Sequence, residues 1–258
     1  MNNQRRYALF ILSHGRPDRV YTVKMLKRGG YTGDWYIVCD DEDETLEEYK
    51  KRFGERIIIF SKSQVAGLFD MMDNLPETGT VTFARNYVFQ IAERLGLTHF
   101  IVFDDDYDEL DYKIIRSGRV IEKRVLHFDR LFEYTFDLLD ETGALMVAYA
   151  QTGDFMGGKE SAFFISRFRR KAMNTFFFRV DHPVTFIGRL NEDVNTYVFY
   201  GMRGELIFSV SQIVLRQRRT QMNPGGMTDT YRRLGTYIKS FYTVMLAPSC
   251  VKVSALGE

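Results

Sequence analysis

His99-Phe100-Ile101-Val102-Phe103-Asp104-Asp105-Asp106 is an apolar run that stops abruptly at three carboxylates. A short continuous apolar run bounded in this way reads as a buried strand. The aspartates then stand at the strand's carboxyl end, which is where open α/β sheets bind ligands. Oxygen donors at such a place suit Mg²⁺ or Mn²⁺. Asp104 and Asp106 are the expected metal ligands, with Asp105 turned toward the scaffold or toward a bound nucleotide sugar. An acidic solvated turn is the bland alternative. A calcium loop is excluded, because Glu109 stands where that loop needs glycine and Ile115 where it needs a bidentate glutamate.

Outward from this strand the chain alternates helix and strand. Phe83, Val88, Ile91, Ala92 and Leu95 have helical spacing over Thr82 to Leu95, ended by Gly96. After Asp111, Ile114, Ile115, Val120 and Ile121 flank Ser117-Gly118-Arg119 as a hairpin, and an amphipathic helix is expected from Asp129 to Leu139. Ala144 to Ala150 returns to the sheet. Toward the N-terminus, Tyr7 to Ser13 reads as a first strand that breaks at Ser13-His14-Gly15-Arg16-Pro17, and Asp18 is placed to cap a helix through Val20, Val23 and Leu26. Trp35 to Cys39 and Arg56 to Phe60 read as two more strands, with a charged helical stretch to Phe53 between them. Beyond Gly153 come a β-rich run from Ala162 to Arg179, a helix around Asp193 to Tyr200 and strands near Leu206 to Val214. The expected class is α/β with a mostly parallel central sheet and a β-rich C-terminal portion. No repeat or linker divides residues 1–258, so one domain is expected.

With 258 residues and 45% hydrophobic content, the chain can bury a sizeable core, which excludes a disordered tail. The run Ala8 to Leu12 is too short for a signal-peptide core, and no stretch of about 18 apolar residues follows. A soluble, cytoplasmic protein is expected. Cys39 and Cys250 supply neither a disulfide framework nor metal-ligand spacing. The net charge of +1 hides an asymmetry, since residues 151–258 carry 15 Lys and Arg against 8 acids, +7, leaving −6 for the rest. A polyanion facing the C-terminal portion would explain that excess.

Other residues add to the chemistry. A carboxylate in Asn191-Glu192-Asp193, ahead of a helix, can take the proton of an attacking hydroxyl, with Asp193 the first choice and Glu192 the second. A plain helix start, where Asn caps and acids complement the dipole, is the alternative. Ser13, His14, Gly15 and Arg16 after the first strand and Asp40 and Asp41 after the second are placed to meet a nucleotide, and Arg85 with Asn86 is a weaker candidate of the same kind. Gly157-Gly158-Lys159 and Asn223-Pro224-Gly225-Gly226-Met227 permit close backbone approach without matching a P-loop. The basic clusters Arg167, Arg169, Arg170, Lys171 and Arg216, Arg218, Arg219, near Phe176 and Tyr231, are candidates for nucleic-acid contact, or else a solvated strand edge.

Taken in order, Ala8 to Arg16, Asp40, Ala84-Arg85-Asn86, Phe103 to Asp106 and Asn191-Glu192-Asp193 resemble the motif set of the GT-A glycosyltransferase fold over about the first 200 residues. The Ser-His-Gly-Arg start, Phe-Asp-Asp-Asp-Tyr and Asn-Pro-Gly-Gly-Met-Thr at Asn223 to Thr228 resemble phage TET-associated glycosyltransferases, which are similar to the base J glucosyltransferase. That resemblance implies Mn²⁺ or Mg²⁺ at Asp104 and Asp106, a UDP-sugar donor beside Ser13, His14, Arg16, Asp40, Arg85 and Asp105, and 5-hydroxymethylpyrimidines in DNA as acceptors. It departs from many GT-A enzymes in lacking a late histidine, since the last one is His182. The expected reaction moves a hexose, glucose foremost, to 5-hydroxymethylcytosine in DNA, in the cytoplasm of a host cell if a phage encodes the chain. A glycosyltransferase acting on protein, lipid or polysaccharide, and a catalytically silent binding module, are the rival readings.

Overall fold

A computed structural model describes residues 5–75, 79–155, 160–161, 171–218, 235 and 238–253. Its elements in chain order are β1 (Tyr7–Leu12), α1 (Tyr21–Arg28), β2 (Asp34–Asp40), α2 (Leu46–Phe53), β3 (Ile57–Phe60), α3 (Lys62–Val65), α4 (Thr82–Arg94), β4 (His99–Asp104), β5 (Tyr107–Arg116), β6 (Arg119–Arg124), α5 (Phe128–Thr142), β7 (Met146–Gln151), β8 (Phe176–Arg179), α6 (Glu192–Gly201), β9 (Ile207–Gln217) and α7 (Ile238–Leu246).

The strands form one nine-stranded sheet in the order β3-β2-β1-β4-β8-β7-β9-β5-β6. From β3 to β4 every pairing is parallel. From β8 onward the sheet is mixed, with β8 antiparallel to both β4 and β7, β9 parallel to β7, and β5 antiparallel to β9 and β6. The expectation of a mostly parallel sheet therefore holds for its first half only. Strand direction depends on distant partners that a local apolar run such as Phe176-Phe177-Phe178 does not encode.

Both faces of the parallel half are buried because its side chains alternate between two cores. Leu9 and Ile11 of β1 join Ile101, Phe103, Phe132 and Phe136 on the α5 side, whereas Phe10 and Leu12 join Val88, Ile91, Phe100 and Val102 on the α4 side. Phe100 is fully buried among Phe10, Phe89 and Phe178. Truncating such a ring to alanine typically costs about 3–5 kcal/mol.

Several local expectations change. Val20, not Asp18, occupies the N-cap of α1, and no side chain caps it. The strands expected near Leu206 to Val214 are one continuous strand, and α7 and the single turn α3 were not anticipated. The expected hairpin is present, turning at Ser117 and Gly118, whose φ values of 50° and 73° suit a tight turn. The first half of the run from Ala162 to Arg179, residues 162–170, lies outside the described residues, and Phe176–Arg179 at its end is β8. Among those described, no helix is long and apolar enough to cross a membrane.

Candidate active site

At the carboxyl ends of β1, β2 and β4 lies a cavity of about 590 Å³, bounded across from them by β9, the start of α6 and Lys239 of α7. That volume is within the range of small-molecule sites. Ser13, His14, Arg16, Asp40, Arg85, Asp104, Asp105, Asp106, Glu192 and Asp193 all line it. The topology thus gathers residues from positions 13 to 193 around one opening.

β4 ends at Asp104, and Asp105 and Asp106 form the turn into β5, where the side chains divide. Asp105 is 1% exposed and points into the scaffold, while Asp104 and Asp106 are half-buried at the cavity. Ser13 Oγ donates to Asp105 at 2.5 Å, and Arg16 Nη2 contacts its other oxygen at 3.0 Å. The Tyr49 hydroxyl completes the mount, 2.6 Å from Ser13 Oγ and accepting the Arg16 amide at 3.0 Å. Burial pushes the Asp105 carboxyl up to about 6 although Arg16 and Ser13 pull it back. Asp106 is raised to about 7 by burial first, then by the charges of Asp104 and Asp105. Thr22 Oγ1 donates to the Asp104 carbonyl at 2.6 Å and accepts the Tyr107 amide at 3.1 Å, which fixes the backbone on either side.

The donor set fits a hard divalent cation. Two cavity-facing carboxylates crowd their negative charge in a partly desolvated place, which an added positive charge would relieve. Among the described residues no group of three or more His, Cys, Asp or Glu side chains would enclose a metal. Such a site suits an ion that completes its shell with substrate phosphate and water.

Glu192 and Asp193 open α6 and are 7% and 8% exposed. Arg85, 3% exposed on α4, places Nη1 2.7 Å from Glu192 Oε1 and Nη2 3.4 Å from Asp104 Oδ1. Its guanidinium packs over Phe176 and Phe186, 4.9 and 5.6 Å from their centroids. Glu192 is therefore held by an ion pair, whereas the Asp193 carboxylate accepts the Val194 amide at 2.7 Å. Burial raises both carboxyls and Arg85 opposes the rise. Arg85 Nε and Arg16 Nε are buried without hydrogen-bond partners among the described residues.

At the N-terminal edge of the cavity, Asp40 takes His14 Nδ1 at 2.8 Å and Lys62 Nζ at 2.9 Å. The hydrogen bond to Asp40 raises the His14 pKa; burial pulls Asp40 upward, but His14 and Lys62 hold it below the usual carboxylate range. Asp43 binds the Gly15 amide at 2.7 Å, fixing the loop where Gly15 has a φ of 69°. Lys62, Asp43 and Tyr49 were missed from sequence. Lys62 had a signal, since it lies two residues beyond an apolar strand at the ligand-binding end of the sheet.

Other expectations resolve differently. Asn191 holds the N-cap position of α6, yet its side chain donates to Thr243 Oγ1 at 2.7 Å instead of capping. Asn86 faces no ligand space and exchanges two hydrogen bonds with the Phe186 backbone, at 2.8 and 3.0 Å. Of the basic candidates, Lys171 pairs with Asp154, Arg216 with Asp111 and Glu122, and Arg218 with Asp108 at 3.4 Å. Arg167, Arg169, Arg170, Arg219 and Tyr231 lie outside the described residues, as do Gly157, Gly158 and Asn223 to Thr228.

This sheet, with its carboxylates at the end of the fourth strand and across the cavity, is the architecture of a GT-A glycosyltransferase. Similar solved structures bear that out for the fold. Glucosyl-3-phosphoglycerate synthase from Mycobacterium tuberculosis, in complex with Mg²⁺ and uridine diphosphate, is 11% identical with a TM-score of 0.53, covering 100% of this chain and 84% of that one. The same enzyme with Mn²⁺, UDP-glucose and phosphoglyceric acid is 12% identical with a TM-score of 0.52 over the same shares of the two chains. No curated protein sequence matches. The model of the TET-associated glycosyltransferase family matches residues 7–226, and the chain belongs to that family. It is accordingly a glycosyltransferase that uses a nucleotide-sugar donor.

Proposed function

We propose that the enzyme moves glucose from UDP-glucose to the hydroxymethyl oxygen of 5-hydroxymethylcytosine in DNA, with Mn²⁺ or Mg²⁺ held by Asp104 and Asp106. The observation that carries the catalytic part is the meeting of Asp104, Asp106 and Asp193 in one cavity, separated by the Arg85–Glu192 pair. The acceptor rests on family membership and on the basic C-terminal portion. The glucosyl-3-phosphoglycerate synthase complexes with UDP-glucose and Mn²⁺ support the donor and the metal as a class.

When bound, the cation would neutralise charge developing on the departing diphosphate. The chain's own residues do the rest. Arg16 and Arg85 line the cavity and bring guanidinium charge to an anionic donor. His14, Asp40 and Lys62 form the polar wall for the nucleotide. Asp193, the less encumbered carboxylate of its pair, accepts the proton of the attacking hydroxymethyl group if configuration inverts. Its raised pKa makes it a stronger base than an exposed aspartate. Should configuration be retained, Asp193 orients the acceptor instead.

The test is mass spectrometry of nucleosides from 5-hydroxymethylcytosine DNA after incubation with UDP-sugars and Mn²⁺ or Mg²⁺. A hexose adduct lost in Asp106→Ala supports the reading. Donor turnover without an adduct points to another acceptor, and neither adduct nor turnover points to a binding module.

A further inference from the structure

The β5–β6 hairpin has a fastened base and an unfastened tip. At its base β5 pairs with β9 from Tyr107 to Tyr112, Arg124 contacts Glu109, and Arg216 contacts both Asp111 and Glu122. Lys113 reaches Glu122 at 2.9 Å and lies 4.4 Å from the Phe155 centroid. Among the described residues β5 has no strand neighbour past Tyr112 except β6, which is the last strand of the sheet. The result is a projecting two-stranded ribbon.

Its composition is unusual for a solvated edge. Residues 112–124 hold five Lys and Arg against one Glu, +4. Arg116, Arg119 and Lys123 are exposed and have no ionic partner among the described residues. On the same face as these cations Ile114 and Ile121 are 44% and 38% exposed, while Ile115, 46% exposed, lies on the opposite face. Lysine or arginine alone would protect an edge from pairing. Two exposed isoleucines on the same face as cations without ionic partners among the described residues instead match a surface that is covered by a polyanion with apolar patches.

Resting on the DNA-acceptor reading above, we infer that this ribbon is an accessory arm that seats in the major groove of the acceptor duplex. The groove admits a two-stranded β-ribbon and offers phosphates at its rims with thymine methyl groups on its floor. Eleven residues separate Asp106 from Ser117, an extended span of at most about 36 Å, close to one helical turn of duplex. Arm and active site therefore reach the same stretch of DNA. The turn at Ser117 and Gly118 brings Arg116 and Arg119 opposite each other at the tip, placed to meet phosphates.

The test compares the full-length wild type with an Arg116→Ala, Arg119→Ala, Lys123→Ala triple variant. A duplex of about 24 base pairs and a single strand of about five nucleotides, each with one 5-hydroxymethylcytosine, serve as acceptors. The arm predicts that the variant binds the duplex at least about tenfold more weakly at about 0.1 M salt, with a log Kd against log salt slope shallower by about 3. Transfer to the short strand stays within about twofold of wild type, which also shows the variant is folded, and Arg116→Lys with Arg119→Lys keeps duplex affinity. Unchanged affinity and slope, with duplex still modified, overturn the arm and leave the DNA acceptor standing. A wild type that neither binds nor modifies any DNA overturns the acceptor reading and the arm with it. If the triple variant instead converts a dimer to a monomer in sedimentation, the ribbon belongs to a second copy of the chain and the inference fails.

Discussion

The acidic cluster at Asp104 to Asp106 follows a strand end and the one at Glu192 and Asp193 opens a helix; Arg16 holds Asp105 of the first and Arg85 holds Glu192 of the second while also lying 3.4 Å from Asp104. Asp104 closes the strand and Asp105 and Asp106 form the turn into β5, where Arg16 and Ser13 take the middle carboxylate and leave Asp104 and Asp106 toward the cavity. In the first helical turn the neighbours are adjacent, so Arg85 takes Glu192 and leaves Asp193. Two carboxylates suit a cation and one suits proton transfer. The ion pairs that Arg16 and Arg85 make thus decide which carboxylates each cluster can offer.

Breaking the available carboxylates should have the largest effects. Asp104→Ala and Asp106→Ala are expected to lower kcat by about 10³-fold or more, with the same loss on chelation and recovery on adding Mn²⁺, measured as donor turnover. Asp193→Asn should cost about 10²- to 10⁴-fold in kcat with KM for the donor little changed, whereas Glu192→Gln should cost less. A larger loss for Glu192→Gln would reverse the assignment within the pair.

Breaking the mounts should act through stability. Arg85→Met leaves the buried Glu192 carboxylate without its partner and is expected to destabilise the fold by about 3–5 kcal/mol in urea unfolding. Thr243→Val removes the hydroxyl that donates to Asn195 Oδ1 at 2.6 Å and accepts from Asn191, at a cost of about 1–3 kcal/mol. Because Asn191 has a φ of 60° directly before Glu192, this variant should also lower kcat more than it raises KM.

The smallest effect is a pH dependence at the nucleotide wall. His14 is raised by Asp40, so its contribution to stability is full below its unfolded value of about 6.5 and fades as pH climbs through its folded pKa. Asp40 is held low, so its contribution is present above the usual aspartate value and fades as pH falls through its folded pKa. Thermal melts of wild type and His14→Gln should differ most in the window between these limits and converge at alkaline pH. A constant difference across pH would remove the ionic part of the pair.

Much of this was legible from short-range pattern. The strand ending at Asp104, the helix closed by Gly96 and the turn at Ser117-Gly118 each declare themselves within about ten residues. The catalytic candidates were legible for the same reason, since they follow strands or begin a helix. What escaped depends on partners far away in the chain. The antiparallel insertion of β8 is set by His99 to Val102 on one side and Val147 on the other. Lys62 meets Asp40 across 22 positions, and α7 is fastened by Tyr242 to Asp73 across 169. The hairpin was visible as a turn but not as an arm, because the point at which β9 stops pairing with β5, at Tyr112, is not written in the hairpin's own residues.

The division between mounted and available carboxylates is tested most directly by titrating Mn²⁺ in the presence of UDP, following the free-ion EPR signal in wild type, Asp105→Asn and Asp106→Asn. Asp105→Asn should keep Mn²⁺ binding within about tenfold of wild type, losing mainly the stability of the Ser13 and Arg16 mount, while Asp106→Asn should lose it by more than about a hundredfold. The reverse order, with Asp106→Asn binding Mn²⁺ like wild type and Asp105→Asn losing it, would contradict the account.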